Sequence, residues 1–231
     1  MNYTERFDRF FEDGLLTRNE WTGTDERGRK TACLLAALSK EVGTKKSADA
    51  CPASVMPAWL AHLVPSIDDR TSEEFWPEMV CRFADLVHCW GVLDDAAWRR
   101  CEYRFKIVTL DESLKHFDHE KNPSVAKAIE DVKALCQRVV AGDEPTQEEW
   151  MTAAEAAAAW AARAARAARA AEAEAEAAAA WAARAARAAE AEAEAAAEAA
   201  AAWDRMTDAL FNTIEEECLR TANAEYNEAA K

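Results

Sequence analysis

Residues 177–194 read AAAAWAARAARAAEAEAE, and residues 156–176 carry the same string with one extra Ala/Arg triplet. Of the 50 residues from 153 to 202, 35 are alanine, 8 glutamate, 5 arginine and 2 tryptophan, and no glycine or proline follows Pro145. Alanine, arginine and glutamate stand near the top of the helix-propensity scale, so the stretch predicts uninterrupted helix. With no alternating Val/Ile/Thr runs elsewhere, the fold class it predicts is all-α.

The repeat is in register with a helix. Trp160, Trp181 and Trp203 are 21 and 22 residues apart, turns of roughly −60° and +40° at about 100° per residue, so the rings share one broad face about 32 Å apart. Arg163, Arg166 and Arg169 precede Glu172, Glu174 and Glu176, and Arg184 and Arg187 precede Glu190, Glu192 and Glu194. Within one helix that order is the less favourable one for close pairs, whereas antiparallel helices set each block against its opposite. The pattern therefore fits a hairpin folded near 177–181 or coiled-coil-like packing against a second copy, with a homo-oligomer expected. Trp160, Trp181 and Trp203 are the candidate binding anchors, and Arg163, Arg166, Arg184 and Arg187 the candidate aligning charges. The same composition also arises by repeat expansion that leaves only a soluble spacer.

Outward from the repeat, Gly142–Pro145 in AGDEPTQEEW marks the expected boundary between a compact helical domain, 1–145, and the alanine-rich helical region, 146–231. Helices are expected near 3–13, 27–42, 54–64, 72–90, 95–117 and 123–141. Thr17/Glu20, Thr71/Glu74, Thr109/Glu112 and Thr146/Glu149 have capping-box spacing, Asp94 or Asp95 suits a cap, and Asn122 before Pro123 pairs a cap with a first-turn proline. Phe7, Phe10 and Phe11 give the first helix an apolar face. Trp76, Met79, Val80, Phe83, Val87 and Trp90 recur at helical steps, and Trp98, Cys101, Phe105, Val108, Val125, Ile129, Val132 and Cys136 continue the pattern as a predicted core. Met206, Leu210, Phe211, Ile214 and Leu219 form a later stripe expected to cover the first domain or another subunit.

A formal charge of −15 argues against direct binding to nucleic acid or to an anionic membrane, since phosphate affinity rests on clustered Lys and Arg. It suits instead the basic surface of a protein partner. The seven cysteines form no CxxC pair and are odd in number, which reads as free thiols in a cytoplasmic setting. Charges recur too often in the alanine run for a lipid-buried helix.

The string AAAAWAARAARAARA after CQRVVAGDEPTQEEW, with the opening YTERFDRFFEDGLLTRNEW and the later CPASVMPAWLAHL, resembles alanine-rich helical proteins encoded by phages and prophages. Residues 123–203 are also similar to immunity proteins of bacterial toxin systems. These resemblances imply a helical, non-enzymatic protein that binds and inhibits a toxin or a host defence component. They bring no catalytic motif and no cofactor.

Few residues invite chemistry. His116, His119 and Glu120 in KHFDHEK fall within one helical turn, as zinc ligands can, but lack the HExxH arrangement and precede a helix break; a metal-dependent enzyme is the third reading. His88 beside Cys89, with Cys81 two turns earlier, reads as a core histidine and a buried thiol more readily than as a nucleophile and its base. Asp68–Asp69 and Asp94–Asp95 sit where caps are needed. No phosphate-cradling glycine loop occurs. The second reading, by analogy with phage proteins that sequester signalling nucleotides, is a small-molecule site where arginine and tryptophan line a gap between alanine helices.

Overall fold

Asn2 accepts the amide of Glu5 while the Glu5 carboxylate accepts the amide of Asn2, a reciprocal cap that starts α1 (Tyr3–Glu12). The computed structural model describes residues 2–115, 123–155 and 183–229, with side chains described over 195–224 in the last stretch. The fold is all-α apart from one small hairpin, β1 (Thr22–Thr24) and β2 (Lys30–Ala32), paired antiparallel with Thr22 opposite Ala32. Then come α2 (Leu34–Leu38), α3 (Lys40–Lys45), α4 (Ala58–Arg70), α5 (Trp76–Cys89), α6 (Asp95–Lys115) and α7 (Pro123–Val140). A helical run over 147–155, α8, and α9 (Ala183–Ala229) follow, and short 3-10 turns stand at Ala48–Ala50 and Trp90–Val92.

The hairpin corrects the helix expected across 27–42. Asp25 accepts the amides of Arg27 and Arg29 at 3.0 and 2.8 Å and pairs with the Arg29 guanidinium at 2.7 Å. Gly28 takes φ +75°, a left-handed conformation open to glycine at little cost, and the turn closes before a helix can begin.

Caps sort by context as well as spacing. Asp94 accepts the Ala97 amide at 2.7 Å, and Thr146 and Glu149 cap α8 reciprocally. Thr109 instead lies inside α6, donating to the Phe105 carbonyl, and Thr71 ends α4 by donating to the Ile67 carbonyl. Thr17 touches Glu20 outside any helix. A threonine three residues before a glutamate caps only where the backbone has not already become helical.

Two units divide the chain, Met1–Glu102 with Ala200–Lys231, and Tyr103–Ala199. In the first, Phe83 of α5 is the meeting point of rings: Phe7 lies 5.5 Å away, Trp90 5.6 Å and Phe211 6.1 Å between centroids. All four are at most 2 % exposed. Leu210, Phe211 and Ile214 are buried here, so the C-terminal stripe covers its own chain, while Leu219 remains 66 % exposed.

Polar contacts fix how α9 lies. Asp204 accepts the Ser72 amide at 2.8 Å, Arg82 binds Asp208, Asn212 and Glu215, and Arg100 donates two hydrogen bonds to Glu217 through Nε and Nη2. From Ser72 to Arg82 the partners advance along α9 in the same direction, so α5 and α9 run parallel. Glu217, only 1 % exposed, is a buried carboxylate held by Arg100 and Arg220 at 2.9 and 2.6 Å. Pairing of this kind makes its burial tolerable.

In the second unit, Tyr103 lies 6.0 Å from Trp150, and Lys133 of α7 pairs with Asp111 of α6 at 2.5 Å. The end of α7 is a Schellman turn: Gly142, at φ +85°, donates to the Val139 carbonyl and Asp143 to the Arg138 carbonyl. Gly142–Pro145, expected as a domain boundary, thus lies within this unit. The hairpin expected near 177–181 lies outside the described residues.

Replacing Arg100 with methionine removes a guanidinium that binds the buried Glu217 and is expected to cost about 2–3 kcal/mol. Adding Glu217→Met removes the buried charge and recovers most of that loss. Urea unfolding of the wild type and both variants checks the order; a double variant no more stable than Arg100→Met contradicts it.

Candidate functional site

Asp95, Trp98, Arg99 and Glu102 follow one another at i, i+3, i+4 and i+7, which places them on one face of α6. That face lines an open cleft of about 560 Å³ in the first unit. Trp59 of α4 and Trp90, just past α5, line it as well, and Tyr3 of α1 stands where its hydroxyl would be 3.4 Å from a Cβ added to Gly91.

The three indoles form a continuous series. Trp98 lies 6.3 Å from Trp59 at an interplanar angle of 71° and 6.2 Å from Trp90 at 58°. Trp90 is buried against Phe83, while Trp59 and Trp98 are half-buried and so keep part of their surface open. The Trp90 Nε1 is buried with no hydrogen-bond partner among the described residues. The charged residues on the α6 face are two carboxylates, Asp95 and Glu102, and one guanidinium, Arg99. Rings that offer broad contact area beside charges that set orientation are the usual furnishing of a recognition site.

The residues singled out in the sequence fall elsewhere. Trp203 is half-buried in the first unit, with the Arg70 guanidinium 5.4 Å over its ring. Trp160, Trp181, Arg163 and Arg166 lie outside the described residues, as do His116, His119 and Glu120. Arg184 and Arg187 fall on the backbone of α9, their side chains outside the described set. His88 corrects the expectation of a core histidine: it is exposed and meets Asp8 at 2.9 Å. Val87 and Trp90 take the buried face, and His88, about 100° round from Val87, turns outward. Cys89 is half-buried, and its hydrogen bond with Cys218 draws its thiol below the ordinary range. Among the described residues no group of His, Cys, Asp and Glu is arranged to hold a metal ion. None of the described helices is long and apolar enough to cross a membrane.

The cleft escaped sequence reading because tryptophan signals core and site alike. Trp90 and Trp98 continue the apolar periodicity of their helices, and only the approach of α4, which brings Trp59, turns that stripe into a wall.

A second group of functional side chains has a structural account. Asp68, 1 % exposed, borders a cavity of about 90 Å³ with Cys33, Asp69 and Glu20. It accepts the Leu34 amide at 3.3 Å and the Trp76 Nε1 at 3.0 Å, joining the start of α2 to the start of α5. Arg18 secures the same corner by donating to the carbonyls of Asp68 and Thr71. Burial pushes the Asp68 carboxyl up to about 6, against the opposing pull of its two donors. Burial likewise pushes the Cys33 thiol up to about 11, so it is a poor nucleophile at neutral pH.

With its affinity for protons raised in the folded state, Asp68 is protonated there over a window, roughly pH 4 to 6, in which the unfolded chain has already released the proton. Its contribution to stability is therefore fully present below that window and is lost as pH rises through about 6. Asp68→Asn is expected to flatten the slope of urea midpoint against pH over this range; an unchanged slope contradicts the assignment.

No family model matches the chain, and no curated protein or solved structure shows significant similarity to it.

Proposed function

We propose that this chain is a non-enzymatic interaction protein that holds a partner in the aromatic cleft of its first unit, with the alanine-rich repeat serving self-association. The observation that carries the reading is the series Trp59–Trp98–Trp90, two of its rings still partly open, bordered by the charged face of α6. Tryptophan is enriched among the residues that dominate binding energy at protein interfaces. A net charge of −15 steers a basic partner toward the chain. The resemblance to phage and immunity proteins names the partner class in this proposal, a toxin or a host defence component. The cleft also favours a second reading, sequestration of a small molecule, because about 560 Å³ falls in the usual range of roughly 300–1,000 Å³ for ligand pockets.

Partner capture from a bacterial lysate with the full chain, compared with a Trp59→Ala/Trp98→Leu variant, tests the cleft. Circular dichroism and urea unfolding identify the variant as folded. A species retained by the wild type and reduced at least tenfold in the variant is expected; equal retention by both sinks the reading. Native mass spectrometry of a Trp160→Ala/Trp181→Ala variant tests the repeat, with loss of an oligomer seen in the wild type as the expected outcome and unchanged mass as the contrary one.

A further inference from the structure

We infer that the cleft takes an organic cation, an alkylammonium or guanidinium group, carried either by a free small molecule or by a basic side chain of a partner protein. The inference rests on the reading of the cleft as the binding site and adds the chemistry of its occupant.

Ring geometry bears on the flat alternative first. A planar base or nicotinamide held in a sandwich needs parallel faces, but Trp98 stands at 71° to Trp59 and at 58° to Trp90, so these rings offer at most one face to stack on. Walls set at such angles make a corner, which suits a compact rounded group. Each indole also carries negative charge on its face, and tryptophan is the strongest of the aromatic side chains toward a cation.

Charge points the same way. Asp95 and Glu102 are two of the three charged residues lining the cleft. Arg99, four residues after Asp95 and three before Glu102, has both within the reach of helical neighbours. The lining is therefore net negative by one, on a chain whose formal charge is −15. An anionic ligand would have to overcome both, whereas a cation is drawn in by both.

Calorimetry and ligand-observed NMR on the full chain test this with four probes: choline, an acetylated and amidated Gly-Arg-Gly peptide, AMP, and 3,3-dimethylbutan-1-ol, the neutral isostere of choline. At least one cation is expected to bind, with the neutral alcohol at least tenfold weaker than choline if choline is the binder. Asp95→Asn/Glu102→Gln, near-isosteric changes at an exposed and a half-buried position, is expected to weaken the cation three- to tenfold and to reduce its salt sensitivity; circular dichroism checks that the variant is folded. Tighter binding of the peptide assigns a partner's basic side chain; tighter binding of choline assigns a free cation. The inference is overturned if the alcohol matches choline, or if AMP binds and both cations are silent. Should the cations be silent while the tryptophan variant still loses its captured partner, cation chemistry fails and the cleft reading stands. If capture is unaffected too, both fail.

Discussion

The contact on which the rest of the structure depends is the meeting of four buried rings at Phe83. Phe7 comes from α1, Phe211 from α9 and Trp90 from the turn after α5, so three separated parts of the chain are sealed at one point. Each ring of this size removes roughly 150–250 Å² from water, about 4–6 kcal/mol of transfer free energy at 25 cal/mol/Å². The ion pairs described around it, at a few kcal/mol at most each, set alignment more than they set stability. Arg82 lies over the Phe211 ring at 5.6 Å while it binds carboxylates of α9, which places the helix along its axis once burial has brought it in.

The cleft depends on the same packing. Trp90 has Phe83 behind it and Trp98 beside it, and Trp98 in turn meets Trp59. A disturbance at Phe211 therefore has a path of ring contacts to the cleft. The C-terminal helix belongs to the first unit from Ala200 onward, within the last residues of the alanine-rich stretch. Binding, on this account, draws on both ends of the chain, because the residues up to Glu102 and those from Ala200 onward belong to one unit.

Much of the helical content was legible in the residues. Propensity and periodicity gave α1, α5, α6 and α7 close to their observed limits, and the stripe Leu210, Phe211, Ile214 announced a buried face for α9. The hairpin at 22–32 was not legible, because Lys30–Ala32 carries no alternation and its pairing is imposed by the Asp25–Gly28 turn. Thr109/Glu112 and Thr146/Glu149 share one spacing, yet only the second is a cap, since a cap requires non-helical backbone before it. The cleft was hidden for a related reason: Trp98 fits a core stripe and a site wall equally until the position of Trp59 is known. His88 illustrates the reverse, a residue whose apolar neighbours suggested burial although its place on the helix turns it to Asp8.

The most direct test of the claim that the C-terminal helix completes the core beneath the cleft is native-state hydrogen exchange on the full chain, wild type against Phe211→Ala. The account predicts that amides of α5 and of residues 90–98 lose protection together with those of α9, because they share one cooperative set of ring contacts. Loss of protection confined to α9, with α5 and residues 90–98 unchanged, would contradict it.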